Sequence, residues 1–541
     1  MRSLYTSVTL RLGDLTLHGE RDVTSFMRTS RDPELLLWAW ISWRDALGPP
    51  LRPLFARTVE VANVAARRGG YPDMGTAWQD ELDFSPEEDV RTLVEDLYNE
   101  VAPLYTLLHA RVRHSLAEQY GGKVVDVRQP IPAHLLGDLW GQNWISLIDI
   151  ILREHGSLST AAKSKEDNKT VREMVKFWSE SILGDSEAPR NTTCHPRSLD
   201  MFSPGDYRCL VVELMIMCNI QGEEGQAVAY HELGHIYYFQ SYSHQPTIFR
   251  DGANSAFHET IGDTVQLSAM APACQDRSKV NSYQESPQME ANRRDKSSEN
   301  LSSSELRHLL TLALQKLPLF AFARVMDEWR WGVFRGERHS PEIISTSWAE
   351  HQHCRAYDSE SVIPEQDYNK WWWRLTLQYQ GLAPPSPRSE RHFDPAAKFH
   401  LADNIPFIRY FVAVVAQFQL HQALCETSQG KVHIGGRLHT CCIKGSTEAG
   451  RQLRWVLSQG ASTSWQEILE AVTGSRNLEA SHLRSYFSPL TSWLEREVVR
   501  LNLTLGCPPS APSPQALRAI HNPFSFVFID EKREPITAVI G

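Results

Sequence analysis

Residues 88–120, EDVRTLVEDLYNEVAPLYTLLHARVRHSLAEQY, form a long stretch in which apolar side chains recur at i, i+3, i+4 and i+7. This spacing places one apolar stripe along a helix that packs against a core. The same period recurs elsewhere, whereas the alternation typical of strands is scarce and appears only near 8–12 and 210–220. The sequence therefore predicts a mostly α fold. The further helical stretches are 33–47, 171–183, 305–334, 405–425, 447–458 and 479–504.

The composition is that of a globular chain with an acidic balance. Of 541 residues, 42% are hydrophobic and 22% are charged, which excludes general disorder. A formal net charge of −10 argues against nucleic acid as a partner, because phosphate binding needs a basic surface. No apolar run reaches the roughly 18 residues of a membrane-spanning helix, and no leader is visible at the N-terminus. We expect no transmembrane segment in this chain.

Polar stretches suggest the limits of the folded unit. Residues 274–304 and 337–366 lack a helical period, so we interpret them as polar insertions into a single domain that spans residues 20–506. A segment of residues 1–19 precedes this domain. The tail, residues 507–541, opens with Cys-Pro-Pro-Ser-Ala-Pro, which a packed helix does not tolerate.

The sharpest chemical pattern is His231-Glu232-Leu233-Gly234-His235. Histidines at i and i+4 lie on one face of a helix, where both imidazoles reach a single Zn²⁺. Glu232 lies beside that face and is placed to accept a proton from a water molecule at the metal. A helix can also hold two histidines by chance, so the pattern alone does not decide the chemistry.

A third ligand is available in residues 257–263, FHETIGD. Glu259 follows His235 at a distance that allows a turn and a returning helix, and it completes the His₂Glu set of a catalytic zinc site. Asp263, one helical turn later, points the same way and can hold a ligand histidine through its free ring nitrogen. The alternative is a buried helix with paired acids and no metal.

Longer segments on both sides of these motifs resemble one known family, that of angiotensin-converting enzyme, the peptidyl-dipeptidase A family of zinc metallopeptidases. The resemblance covers most of residues 20–506. It implies a large, single-domain helical ellipsoid with a deep central channel and a small β element near the active site. The segments that carry the resemblance are LWAW at 37–40, PIPAHLLG at 130–137, HELGH at 231–235, FRDGAN at 249–254, QGL at 380–382, KFH at 398–400, IRYF at 408–411 and QFQ at 417–419.

The resemblance also implies an activity, the release of dipeptides from the C-termini of oligopeptides. In this chain His231, His235 and Glu259 match the zinc ligands, and Glu232 matches the general base and acid. Tyr410 matches the tyrosine that stabilises the oxyanion. The residues that match contacts to the substrate are His195 and His400 for its backbone, Lys398 for its terminal carboxylate, and Phe407 where the family has a tyrosine.

The chain departs from the family pattern around the carboxylate pocket. Phe407 packs but cannot donate a hydrogen bond, Pro196 lacks a backbone N–H, and Asp167 would repel a carboxylate. Loss of one hydrogen bond to a carboxylate costs about 1.5–3 kcal/mol, or about 10- to 150-fold in binding. One alternative is therefore a zinc-binding but catalytically impaired peptide-binding homologue. A second is an endopeptidase or aminopeptidase, against which residues 398–400 count, because such enzymes need no carboxylate clamp.

Chloride activation, disulfide bonds and location are further implications of the resemblance. Arg113, Trp372 and Arg409 match chloride-binding residues, but Ile148 and Thr376 replace a tyrosine and an arginine, so we expect weak or altered activation by chloride. A total of nine cysteines and the sequons at several asparagines favour an extracellular or cell-surface glycoprotein, which we expect to be a monomer. The implied disulfide pairs are Cys194–Cys218 and Cys425–Cys441.

Overall fold

The structure is a computed structural model, and it describes residues 1–84, 89–153, 222–275, 301–336, 367–429, 437–506 and 539–540. Helices dominate these residues and the sheets are small, so the predicted mostly α class is confirmed. The predicted helix at 171–183 and strand at 210–220 lie outside the described residues. The α-helices span Arg2–Thr6, Gly19–Thr29, Pro33–Arg68, Met74–Asp80, Val90–Tyr120, Ile148–Ile151, Gly222–Ser241, Phe257–Met270, Pro272–Gln275, Ser303–Arg335, Tyr368–Leu375, Phe399–Ala402, Ile408–Gln429, Thr447–Gln459, Trp465–Thr473 and Ser481–Leu501.

The helix Pro33–Arg68 runs far beyond residue 47, where the predicted stretch ends. Asp32 caps its start by accepting hydrogen bonds from the first backbone N–H groups. Three prolines inside the helix each remove a backbone hydrogen bond. Leu51 and Phe55 nevertheless continue the buried stripe. The helix continues because the burial of this stripe outweighs the lost hydrogen bonds.

The helix Ser303–Arg335, here called the central helix, lies in the core. It begins with a capping box at Ser302. Among the described residues it is the one helix long and apolar enough to cross a membrane by length and composition, and 83% of its most apolar window is buried inside the protein. Phe320 stacks on Phe411 of the helix Ile408–Gln429, with ring centroids 4.0 Å apart. The central helix is thus the support on which that second helix rests.

Two small sheets accompany the helices in the described residues. In the first, Val8–Leu12 pairs in antiparallel fashion with Leu15–His18 on one side and with Val539–Ile540 on the other. The predicted strand at the N-terminus is therefore confirmed. In the second, Ile131–Pro132 pairs in parallel with Leu382–Ala383. This pair joins two segments that are distant in sequence.

Two disulfides lie side by side in the structure. Cys425 is bonded to Cys441, with Cα atoms 6.2 Å apart. Cys274 is bonded to Cys442, with Cα atoms 5.3 Å apart, and the sequence analysis did not anticipate this bond. Because Cys441 and Cys442 are neighbours, the two bonds fasten three segments together at one point. The predicted pair Cys194 and Cys218 lies outside the described residues. The domain limits at residues 20 and 506 stay predictions.

Candidate metal centre

Two histidines converge on the helix Gly222–Ser241, here called the histidine helix. His231 and His235 are one turn apart, and their Nε2 atoms lie 3.0 Å from each other. Their rings meet edge to face, with centroids 4.6 Å apart. Both imidazoles therefore present a nitrogen to the same small volume, as the i, i+4 spacing predicts.

The third member of the cluster comes from the helix Phe257–Met270, here called the carboxylate helix. An Oε2 atom of Glu259 lies 3.4 Å from Nε2 of His231. One ligand atom from each of His231, His235 and Glu259 lies within 4.8 Å of the other two. The structure thus brings together the three residues that the sequence suggests as ligands.

The histidine helix and the carboxylate helix cross at two glycines. A Cβ atom on Gly234 would lie 2.7 Å from the Cα of Gly262, which no side chain tolerates. A Cβ atom on Gly262 would lie 2.9 Å from the ring and the carbonyl oxygen of His231. The close approach that delivers Glu259 to the histidines therefore depends on glycine at both positions. Glycine within both motifs was the available signal, and the sequence analysis missed it.

Asp263 orients the first histidine. Its Oδ1 lies 2.8 Å from Nδ1 of His231, which leaves Nε2 of the ring free to face the cluster. The carboxylate is itself held by Lys316 on the central helix, at 2.7 Å, and by Gln417, whose Nε2 donates at 3.0 Å. The sequence suggests Asp263 for this place, but no local pattern links it to Lys316 or Gln417, which come from distant segments.

The charges around the cluster favour a cation. Burial opposes the charged form of His231, but hydrogen bonds and attraction from Asp263 and Glu259 outweigh burial and raise its pKa to about 10. The same negative charges attract a divalent metal ion. Two imidazole nitrogens and one carboxylate oxygen are also the donor set of catalytic zinc. The residues present therefore fit zinc.

Glu232 lies beside the cluster and is only partly exposed. Burial raises its pKa above the ordinary glutamate value, while the charge of His231 lowers it and that of Glu259 raises it. A glutamate with a raised pKa both accepts and returns a proton near neutral pH more readily than an exposed one. The direction of this shift is compatible with proton transfer by Glu232.

Tyr410, His400 and Phe407 form an adjacent aromatic group. The Tyr410 hydroxyl lies 3.3 Å from Nε2 of His400. The Phe407 ring packs against both, with its centroid 4.5 Å from that of the Tyr410 ring and 4.7 Å from that of the His400 ring. Burial and the negative charge of Glu259 raise the pKa of Tyr410, so its hydroxyl keeps its proton and remains a hydrogen-bond donor. The effect of Glu259 also means that Tyr410 shares the electrostatic environment of the metal cluster.

Lys398 is buried among aromatic rings. Its Nζ lies 3.8 Å from the ring centroid of Trp140 and 5.4 Å from that of Phe407. Burial lowers its pKa to about 8, although the charges of Glu20 and Asp138 oppose this change. The structure therefore places a buried ammonium next to the rings of Trp140 and Phe407.

The residues that match chloride ligands are not gathered into one group in the described part of the chain. Trp372 lines the same cavity as Thr376 and Lys398. Arg113 donates to the carbonyls of Gln129 and Thr504, at 3.1 and 2.6 Å. The positive charge of Arg409 acts on Tyr410 and His400 instead. The predicted substrate residue His195 lies outside the described residues, as do Asp167 and Pro196.

The fold and the cluster together define a class, that of mostly α proteins with an HExxH metal centre. The sequence model of the angiotensin-converting enzyme family matches residues 1–358 and 355–507. The chain belongs to the angiotensin-converting enzyme family, as its sequence motifs predict.

Individual relatives agree with this assignment. The chain is 36% identical over 535 residues to angiotensin-converting enzyme of Mesocricetus auratus, which covers 94% of this chain and 36% of that protein. It is 35% identical over 518 residues to angiotensin-converting enzyme-like protein Ace3 of Mus musculus, covering 90% and 62% of the two chains. It is 32% identical over 505 residues to angiotensin-converting enzyme of Theromyzon tessulatum, covering 90% and 73%. The chain spans only 36% of the length of the Mesocricetus protein.

Proposed function

We propose that the protein is a zinc-dependent peptidase that releases dipeptides from the C-termini of oligopeptides. The observation that carries the proposal is the convergence of His231, His235 and Glu259, whose ligand atoms lie within 4.8 Å of one another, with Glu232 beside them. Membership of the angiotensin-converting enzyme family supports the same class of reaction.

Each residue near the cluster has a chemical role in this proposal. Zinc bound by the three ligands would polarise the scissile carbonyl and make a water molecule more acidic. Glu232 takes the proton of the attacking water and returns it to the leaving amine, which its raised pKa suits. The Tyr410 hydroxyl donates a hydrogen bond to the oxygen on which negative charge develops. His400, within hydrogen-bond distance of Tyr410, contacts the peptide backbone.

Release of residues in pairs requires a fixed cation that binds the terminal carboxylate. Lys398 supplies that charge from a buried position. Phe407 offers no hydroxyl to the carboxylate, so we expect weaker binding of free C-termini than a tyrosine at this position would give. The loss corresponds to about 1.5–3 kcal/mol.

The proposal includes the setting in which the enzyme acts. The two disulfides in the described residues support an oxidising, extracellular or cell-surface location, where oligopeptides are the available substrates. We propose a monomer with weak or altered chloride dependence. The hydroxyl of Thr376, where the family has an arginine, donates to the carbonyl of Trp372 and carries no positive charge for an anion.

Mass spectrometry of a mixed decapeptide pool incubated with the purified chain tests the proposal. We expect loss of C-terminal residues in pairs, abolished by a chelator and by Glu232→Gln. The matched control is Glu448→Gln, which removes an exposed glutamate on the helix Thr447–Gln459 and leaves the products unchanged. If the peptides stay intact while each chain binds one zinc ion, the proposed peptidase activity is refuted and a catalytically impaired peptide-binding homologue is favoured. Internal cleavage would refute the carboxylate clamp.

A further inference from the structure

A fully buried ion pair lies on the central helix, outside the metal cluster. Asp327 and Arg330 have no exposed side-chain surface, and Nε of Arg330 donates to Oδ1 of Asp327 at 2.7 Å. Burying two charges costs desolvation energy, and apolar residues of similar volume often stabilise a core equally well. Stability alone therefore does not account for the pair, and its other contacts indicate what it does.

The second carboxylate oxygen of Asp327 serves another helix. Oδ2 accepts hydrogen bonds from the backbone N–H groups of Phe407 and Ile408, each at 2.6 Å. Ile408 is the first residue of the helix Ile408–Gln429, which carries Tyr410 in its first turn. Free N–H groups at a helix start carry partial positive charge and are stabilised by a carboxylate. Asp327 thus fixes the point at which the helix Ile408–Gln429 begins.

Arg330 holds the other part of the same segment. Its Nη1 donates to the carbonyl of Ile405 at 2.6 Å and approaches the carbonyl of His400 at 3.5 Å. Between these points Asn404 adopts a left-handed backbone, with φ of 56°, so the segment is an irregular turn rather than a regular element. The position of such a turn is set by the side chains that hydrogen-bond to its backbone.

We infer that Asp327 and Arg330 are positioning residues: through backbone contacts at both ends of residues 400–408, they fix His400 and Tyr410 with respect to the metal cluster. The expected effect on catalysis rests on the proposed peptidase function, whereas the expected effect on the structure of residues 400–408 does not. Neither residue touches the substrate. Displacement of a catalytic donor by about 1 Å costs on the order of 100-fold in rate.

The substitution Asp327→Asn tests the inference, because it preserves the shape of the side chain and removes its charge. We expect kcat to fall roughly 10- to 100-fold with the zinc content unchanged. In a Tyr410→Phe background the same substitution should reduce kcat by a smaller factor than in the wild type, because one of the two side chains that Asp327 positions is already absent; the remaining loss reports on His400. A general loss of stability would instead reduce kcat equally in both backgrounds.

A structural measurement separates this inference from the proposed function. The rate of backbone hydrogen–deuterium exchange in residues 400–410 should rise by about tenfold or more in Asp327→Asn. The matched control is Glu497→Gln, which removes the buried charge that pairs with Arg111 and also with Arg500. It should leave exchange in this segment and kcat at wild-type values. Unchanged exchange in Asp327→Asn would overturn the inference even in an active enzyme. If the wild-type protein cleaves no peptide but exchange still increases in Asp327→Asn, the proposed peptidase function is refuted and the positioning role of Asp327 is retained.

Discussion

The buried carboxylate of Asp263 gives the sharpest test of how the metal centre is supported. Replacing it by asparagine preserves the volume but removes the charge that faces His231 at 2.8 Å and Lys316 at 2.7 Å. Lys316 is only 3% exposed, so its ammonium loses its counter-ion in a place that water does not reach. Asp263→Asn should therefore have two separate effects, one on stability and one on zinc binding.

The magnitudes follow from the two contacts. Removing one partner of a buried ion pair costs about 3–5 kcal/mol of the free energy of unfolding. Removing the group that orients a metal-binding histidine weakens metal affinity about 10- to 100-fold, or about 1.4–2.7 kcal/mol. Urea unfolding measures the first effect, and competition with a chromophoric chelator measures the second.

A double variant separates the two effects and guards against a variant that does not fold. Asp263→Asn with Lys316→Met removes the stranded ammonium, so most of the lost stability should return. Zinc affinity should remain low, because Asp263 no longer fixes the ring of His231. Wild-type zinc affinity in the folded double variant would refute the orienting role of Asp263.

Two further predictions concern Lys398 and Gly262. Burial lowers the pKa of Lys398 to about 8, so its charge is lost as the pH rises through that value. The Michaelis constant for peptides with a free C-terminal carboxylate should then rise about tenfold per pH unit, whereas C-terminal amides should show no such rise in steady-state kinetics. Gly262→Ala places a Cβ atom 2.9 Å from His231 and should destabilise the fold by about 1–3 kcal/mol in urea unfolding. The control is Gly332→Ala, because a Cβ atom at Gly332 would have no other atom within 4 Å; this substitution should raise the free energy of unfolding by about 0.5–1 kcal/mol. Equal effects of the two substitutions would contradict the crowding at Gly262.

The sequence predicted those features that depend on local spacing. Helical period located the long helices, because a buried stripe recurs every three to four residues wherever a helix meets the core. The i, i+4 spacing of His231 and His235 was readable for the same reason, since both side chains share one helix. The sequence did not predict where the helix that begins at Pro33 ends. Helix propensity predicts an end before the prolines, whereas the packed helix continues to Arg68.

The supports of the candidate site depend on tertiary contacts, which no local pattern records. Both Lys316 and Asp327 lie on the central helix. Lys316 is an isolated charge within an apolar stretch, whereas Asp327 lies next to Glu328 and within three residues of Arg324 and Arg330. The contacts of Lys316 with Asp263 and of Asp327 with the backbone of Phe407 form only in the tertiary fold, although Asp327 also pairs with Arg330 one turn along its own helix. A charged residue on a helix whose period is otherwise apolar is a usable signal, because burial of a charge without a partner is prohibitively costly.

The aromatic surroundings of Lys398 bear on whether phenylalanine at 407 disables a carboxylate clamp. The Nζ atom lies 3.8 Å from the Trp140 ring and 5.4 Å from the Phe407 ring. Ring faces stabilise a desolvated ammonium by about 0.5–2 kcal/mol without consuming its N–H donors. Because the pKa of Lys398 falls only to about 8, most of the side chains remain charged at neutral pH. Phe407 therefore lacks the hydroxyl of a tyrosine, but its ring lies within cation–π distance of the Lys398 ammonium. If the proposed clamp operates, we expect the charge of Lys398 to contribute to carboxylate binding even without that hydroxyl.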